Sequence, residues 1–259
     1  MTKKQEQYRF WVLIISALVL AALAMYFAPI RQSRNFYNYA DQRTLLGIPN
    51  FWNVITNLPF LIVGILGLNK YNRKKILSIE PIANKSYMTF FVGLIAIFFG
   101  SSYYHLVPDA FSLMLDRISL SVAFIALYCI VLTEYISPTL GQRLLFPLIT
   151  YSMLAVLYWY ISDTLTGRGD LSAYILVQVI PIVHLPLAVW LFTSNFSHGR
   201  FYIYALIAYA LAKWAESNDD FLYQLTGEIS GHSIKHLFAA LGGFFVYWGL
   251  IKRSKLKKG

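Results

Sequence analysis

Apolar residues in this chain arrive in uninterrupted runs of about twenty, the length at which a helix crosses a bilayer. Every backbone N–H and C=O inside a membrane must be satisfied within the protein, so such runs fold as α-helices. Eight of them can be read: 10–30, 50–68, 86–107, 110–133, 143–162, 172–193, 200–216 and 233–251. With 58% of the 259 residues hydrophobic and only 13% charged, the expected fold class is an all-α integral membrane protein. There is no internal repeat and no low-complexity segment, and the stretches expected to be flexible are the C-terminal lysine tail and the 163–170 loop.

The first run follows Lys3, Lys4 and Arg9 and ends in small residues near Ala22 and Ala24, the pattern of a cleavable signal peptide. Its length favours an uncleaved anchor. Cationic loops are retained in the cytoplasm, so the distribution of Lys and Arg orients the rest. With the N-terminus inside, the inner segments hold fifteen (Lys3, Lys4, Arg9, Lys70, Arg73, Lys74, Lys75, Lys85, Arg143, Arg200, Lys252, Arg253, Lys255, Lys257 and Lys258). The outer segments hold four, Arg31, Arg34, Arg43 and Arg168. Both termini are therefore expected in the cytoplasm. The net charge of +10 sits in the tails and the 70–85 loop with no recognition fold around it, which points to anionic lipid headgroups rather than nucleic acid. Cys129 stands alone in an apolar run, so no disulfide framework and no cysteine metal site can form.

Against this background five polar residues fall at membrane depth, where such groups are expensive and mark function by default: Ser101, His105 and Asp116 in one hairpin, His232 and His236 in another. His232 and His236 are four apart, a spacing that stacks two imidazoles on one helical face and lets both reach one ion. The pair alone fits interhelical hydrogen bonding equally well. No Glu follows the first His, as it does in soluble metalloproteases, so any general base comes from elsewhere. His105 has Ser101 one turn before it, and the turn at Pro108 and Asp109 folds Asp116 back beside it. The third run travels outward and the last inward, which puts all three histidines at one depth. Three protein ligands and one open position is the arrangement of a catalytic zinc, whose bound water ionises near pH 7. Asp116 can then accept and return a proton, and Ser101 can donate to an oxyanion.

Each residue also has a plainer reading. Asp116 and Arg117 are adjacent and point about 100° apart on a helix, which is poor for an ion pair. Gly100, Ser101 and Ser102 are small residues of the kind that mark close helix packing, the preferred reading for Ser102 and an equal one for Ser101. His184, between Pro181 and Pro186, is expected as a hydrogen-bonded core histidine, and His198 as a solvated loop residue. Lys235 is expected to snorkel to the interface. Glu216, Asp219, Asp220 and Glu228 make the last outer loop acidic, either solvated or rimming the way in.

At these residues the sequence resembles the alkaline ceramidase family, within the wider group of seven-helix zinc membrane hydrolases that includes the progestin and adiponectin receptors. The resemblance spans about residues 36 to 250 and rests on three stretches in the family's order: Phe51-Trp52-Asn53; Ser101, three residues, His105, ten residues, Asp116; and His232, three residues, His236. It implies zinc on His105, His232 and His236, with Ser101 and Asp116 as catalytic residues. It implies a seven-transmembrane-helix core plus one extra N-terminal transmembrane helix, and so a division into an anchor (1–35), a ceramidase-like membrane domain (36–251) and a basic tail (252–259). Two positions depart from the family. Where eukaryotic members carry a Glu that helps bind calcium, this chain has Asn50, with only Asp41 acidic nearby; calcium binding is not expected. The residue before the last histidine, often aromatic, is Lys235.

The reading that follows is a zinc-dependent hydrolase of the inner membrane of a bacterium, cleaving the amide of ceramide or a related N-acyl lipid. The alternatives are a lipid esterase or acyl-remodelling enzyme, and a receptor-like protein with structural zinc.

Overall fold

The computed structural model describes residues 3–33, 36–73 and 77–256; Arg34, Lys74, Lys75, Lys257 and Lys258 of the charge count lie outside them. Among the described residues the chain is all helical, with no strand. The helices are α1 (Lys3–Tyr26), α2 (Phe51–Ile55), α3 (Leu58–Asn72), α4 (Asn84–Leu106), α5 (Ala110–Val131), α6 (Pro138–Thr166), α7 (Ser172–Leu191), α8 (Arg200–Ser217), α9 (Asp219–Thr226) and α10 (Gly231–Lys252). A π-helical turn, Leu132–Ile136, extends α5. Seven spans among them are long and apolar enough to cross a membrane, the architecture of a multi-pass membrane protein. The expected run 200–216 is helical as α8, but its 18 residues include Arg200, Lys213 and Glu216, and it falls short of the other seven in apolarity.

The run 50–68 is not one helix. Pro59 offers no N–H and cannot continue a ladder from α2, so the helix breaks at Thr56–Asn57. The side chains repair the break: the Asn57 amide donates to the Asn53 carbonyl at 2.8 Å and the Thr56 hydroxyl to the Trp52 carbonyl at 2.6 Å. Elsewhere helix starts follow capping rules. Asp109 and Ser112 form a reciprocal capping box on α5, and Ser137, with Pro138 behind it, opens α6.

The loops gather at two ends. At one, the Gln32 N–H donates to the Gly169 carbonyl at 3.0 Å and Arg43 reaches Glu228. At the other, Ser78 bonds the Leu250 carbonyl at 3.1 Å and Ser197 the Ser254 carbonyl at 3.0 Å. This grouping is the one the alternating path requires. The 163–170 stretch, expected to be flexible, is instead tied down. Helix α6 runs on to Thr166, and Asp170 accepts from the Ile30 N–H at 3.0 Å, from both Ser172 groups and from the Tyr158 hydroxyl.

Helix α1 packs on α7, and one polar contact fixes its register. His184 is buried and bonded, as expected: its Nε2 meets the Ser16 hydroxyl at 3.0 Å and its Nδ1 the Tyr128 hydroxyl at 2.6 Å. Helices α3, α4, α5, α7, α8 and α10 line an apolar cavity of about 110 Å³ whose lining includes Leu94, Leu120, Leu127, Leu185, Gly243 and Val246. The end of the bundle away from the histidines holds a buried ion pair, Arg253 to Glu134 at 2.7 Å, with the hydroxyls of Tyr87 and Tyr202 donating to the same carboxylate.

Candidate metal centre

Two helix ends deliver the histidines. His105 lies on the last turn of α4, and His232 and His236 on the first two turns of α10. Two glycines allow the approach. A Cβ on Gly100 would stand 3.1 Å from the Leu115 carbonyl and 3.3 Å from the Asp116 Cα, so this glycine lets α5 close on α4 beside Ser101. A Cβ on Gly231 would collide with the Ala215 carbonyl at 2.2 Å, so its absence seats the start of α10 against α8. The three imidazoles then form a near-equilateral triangle with ring centroids 5.0 Å apart for every pair. One nitrogen from each lies within 4.8 Å of the others, and exposures of 1%, 6% and 4% put all three out of contact with bulk solvent.

The donor chemistry fits a metal. The Thr56 hydroxyl spends its single hydrogen on the Trp52 carbonyl, so in its 3.0 Å contact with His236 Nδ1 the imidazole must be the donor. That assigns the Nδ1–H tautomer and leaves the Nε2 lone pair of His236 free to ligate, as in metal-bound histidines whose other ring nitrogen donates to an oxygen. His105 Nδ1 is buried with no hydrogen-bond partner. Three buried imidazoles crowded together, one with an orphaned nitrogen, form a group that could bind a metal ion.

The remaining expected residues lie close by. Ser101 is buried against Asp116, and Asp116, 8% exposed, has one carboxylate oxygen without a partner. Asp116 does not pair with Arg117, whose guanidinium stacks on Trp159 at 3.9 Å and donates to Gln32 at 2.7 Å. Lys235 does not snorkel outward. It donates to Glu216 at 2.6 Å and is half-buried, because α8 carries that carboxylate to within reach. Nor is the acidic loop wholly solvated: Asp219 accepts from the His232 N–H at 2.6 Å and from the Ala40 N–H at 2.9 Å, joining α10 to the segment before α2.

That segment supplies what sequence reasoning missed. The Asn50 amide donates to the His105 carbonyl at 2.8 Å, from a left-handed backbone (φ 48°) that asparagine tolerates well. Tyr39 is buried with its ring 4.6 Å from His232 and 5.0 Å from His105, its hydroxyl bonded to Tyr104. Burial, with Tyr104 beside it, holds the Tyr39 phenol well above the ordinary tyrosine range, so it remains a neutral cover over the histidines. Asp41 is engaged by Arg43 through both oxygens, at 2.9 and 3.0 Å, leaving the segment's one acidic side chain already paired. A signal for part of this was present: Asn50, Asn53 and Asn57 recur at helical spacing inside an apolar run, marking one polar face turned toward the site.

Fold and centre together define a class: an all-helical bundle with the architecture of a multi-pass membrane protein, holding a buried three-histidine group able to bind a metal ion. No family model and no curated protein matches the chain.

Proposed function

We propose that the protein is a zinc-dependent hydrolase of membrane lipids that cleaves the amide of ceramide or a related N-acyl lipid. The observation that carries the reading is three buried imidazoles within reach of one ion, in a bundle that also holds an apolar cavity lined from the same helices α4 and α10. The resemblance of the Phe51-Trp52-Asn53, Ser101–His105–Asp116 and His232–His236 stretches to alkaline ceramidases supports the amide as the bond. His105, His232 and His236 would hold the ion. When bound, zinc supplies a Lewis acid for the amide carbonyl and lowers the pKa of a coordinated water to about 7. Asp116 takes up the attacking water's proton through its unpaired oxygen and returns it to the leaving nitrogen. Ser101 donates to the oxygen on which charge develops. Tyr39 and the segment around it cover the centre, so the substrate enters sideways from the bilayer.

In this reading the chain has seven core helices, α8 among them, preceded by α1 as an additional transmembrane anchor. Both termini lie in the cytoplasm of a bacterial inner membrane, where the basic inner segments meet anionic headgroups. The test is mass spectrometry of the products when zinc-replete protein meets ceramides, N-acyl amines and phospholipids in micelles, beside Asp116→Ala. Amine and fatty acid released by the wild type alone support the amidase. Release from esters only moves the reading to a lipase, and no release from any substrate makes zinc structural and the protein receptor-like.

A further inference from the structure

A second apolar space lies on the outside of the bundle, a groove of about 390 Å³ between the α2–α3 break and the outer part of α4. Ile55 and Leu58, one on each side of the break and both exposed, form one wall. The other wall is a stripe of α4, where Phe98, Ser102 and Leu106 recur every four residues, the spacing that lines up side chains on one helical face. Phe99, 61% exposed, and Tyr103 flank that stripe. Both walls belong to stretches long and apolar enough to cross a membrane, Phe51–Asn72 and Pro81–Leu106, so in a bilayer the groove faces lipid and not water. At about 1.5 Å per residue it runs roughly 12 Å along α4, inward from the helix's last residue, Leu106.

Ser102 is the buried polar residue of this lining, one turn inside the outer end of α4. Hydroxyls elsewhere in the bundle donate to backbone carbonyls three or four residues back, Ser119 to Asp116, Ser121 to Arg117, Thr133 to Cys129 and Ser152 to Ile149. The Ser102 hydroxyl, on a residue only 8% exposed, has no partner. Close helix packing asks for a small residue but not for an oxygen, and alanine would serve it as well. Within the hydrocarbon layer there is no water to take up the group, and leaving it unpaired is costly. A single χ1 torsion decides where a serine oxygen points, so a lipid lying along the stripe can supply the missing partner.

We propose that the groove between the α2–α3 break and α4 holds one hydrocarbon chain of a bilayer lipid, and that Ser102 hydrogen-bonds a neutral polar group at the head of that chain. A hydroxyl, carbonyl or amide fits; a charged head one turn below the helix ends would be expensive. The site uses neither the histidines nor Asp116 and stands without the amidase reading.

Photolabelling of the full-length protein in lipid nanodiscs tests it, with a C16 fatty alcohol carrying a mid-chain diazirine beside the matching C16 hydrocarbon; neither has a bond to hydrolyse. Mass spectrometry of the labelled peptides should place both probes on 54–58 and 98–106, with the alcohol favoured about fivefold, the value of one hydrogen bond. Ser102→Ala should remove that preference and leave hydrocarbon labelling unchanged, and Ser102→Thr should restore it. Leu58→Trp, which puts bulk into the groove from an exposed wall position, should abolish labelling by both. Equal labelling of the wild type by the two probes, an equal effect of Ser102→Ala on both, or label lying elsewhere would overturn the proposal. So would a dimer that Leu58→Trp converts to a monomer, which gives the groove to a second copy. No readout involves turnover, so loss of the lipid site leaves the amidase reading standing, and a protein that hydrolyses no amide can still carry the site.

Discussion

Thr56 lies at a break in a helix and touches no substrate, yet the affinity of the histidine centre for metal should depend on it. Replacing Thr56 by Val keeps the shape and removes the acceptor for His236 Nδ1–H, now at 3.0 Å. A buried imidazole donor left without a partner costs about 1–3 kcal/mol. The Asn53 backbone carbonyl, which also faces that ring, can take up part of the loss, so the lower half of the range applies. At 1.4 kcal/mol per decade this is about a tenfold weakening of zinc binding, the lower end of what loss of a ligand's hydrogen-bond partner produces elsewhere. Zinc competition with a chromophoric chelator reads the change directly in purified protein, and Thr56→Ser, which retains the hydroxyl, should bind like the wild type. If Thr56→Val binds zinc within twofold of the wild type, the tautomer argument is wrong and His236 is not oriented from α2.

Four further outcomes are expected. Asp116→Asn should lower kcat on the best amide by about 10²–10⁴ while zinc content measured by emission spectroscopy stays unchanged. Glu134→Ala should destabilise the bundle by about 3–5 kcal/mol by stranding the buried Arg253 charge, whereas the double change Glu134→Leu with Arg253→Met should recover most of the melting temperature. Burial opposes the charge on Asp170, but hydrogen bonds from Ser172, Tyr158 and the Ile30 N–H outweigh it and hold the carboxyl below its ordinary range; its contribution is therefore complete above about pH 4 and lost as pH falls through the folded value, so Asp170→Asn should flatten the fall in melting temperature below about pH 4. Chelating calcium should leave the melting temperature unchanged, because Arg43 already occupies both oxygens of Asp41; a loss of stability that calcium restores would refute this.

The sequence exposed what depends on local periodicity and hid what depends on partners from distant segments. Helical runs and the i, i+4 histidine pair are properties of one stretch, and the turn at Pro108–Asp109 brings Asp116 back by a local rule that the capping box with Ser112 explains. Lys235 was misjudged because its partner, Glu216, lies nineteen residues away on α8. The helix break was missed because hydropathy averages over Pro59, whose effect is on hydrogen bonding and not on polarity. Tyr39 had no periodic signal, since a cover is placed by what it lies on; only Asp219, holding Ala40 and His232 together, puts it there.

The two polar layers of the bundle differ in how completely they are satisfied. At the inner end both oxygens of Glu134 are bonded, and Arg253 divides its guanidinium among Glu134, Tyr87, Tyr202 and the Ser78 carbonyl. Among the described residues nine have a buried side-chain polar atom without a partner, and His105 and Asp116 are two of them; the others are Asn50, Trp52, Asn57, Ser86, Ser102, Arg117 and Trp159. Folding alone gives no reason for that imbalance, because an orphaned buried group costs about 1–3 kcal/mol wherever it sits. A fully bonded layer is a clamp, and Glu134 with Arg253 ties α5, α8 and α10 together as one. The proposed function gives the spare groups on His105 and Asp116 a use: an ion on the three imidazoles and a polar lipid head beside Asp116 would take up both kinds of group.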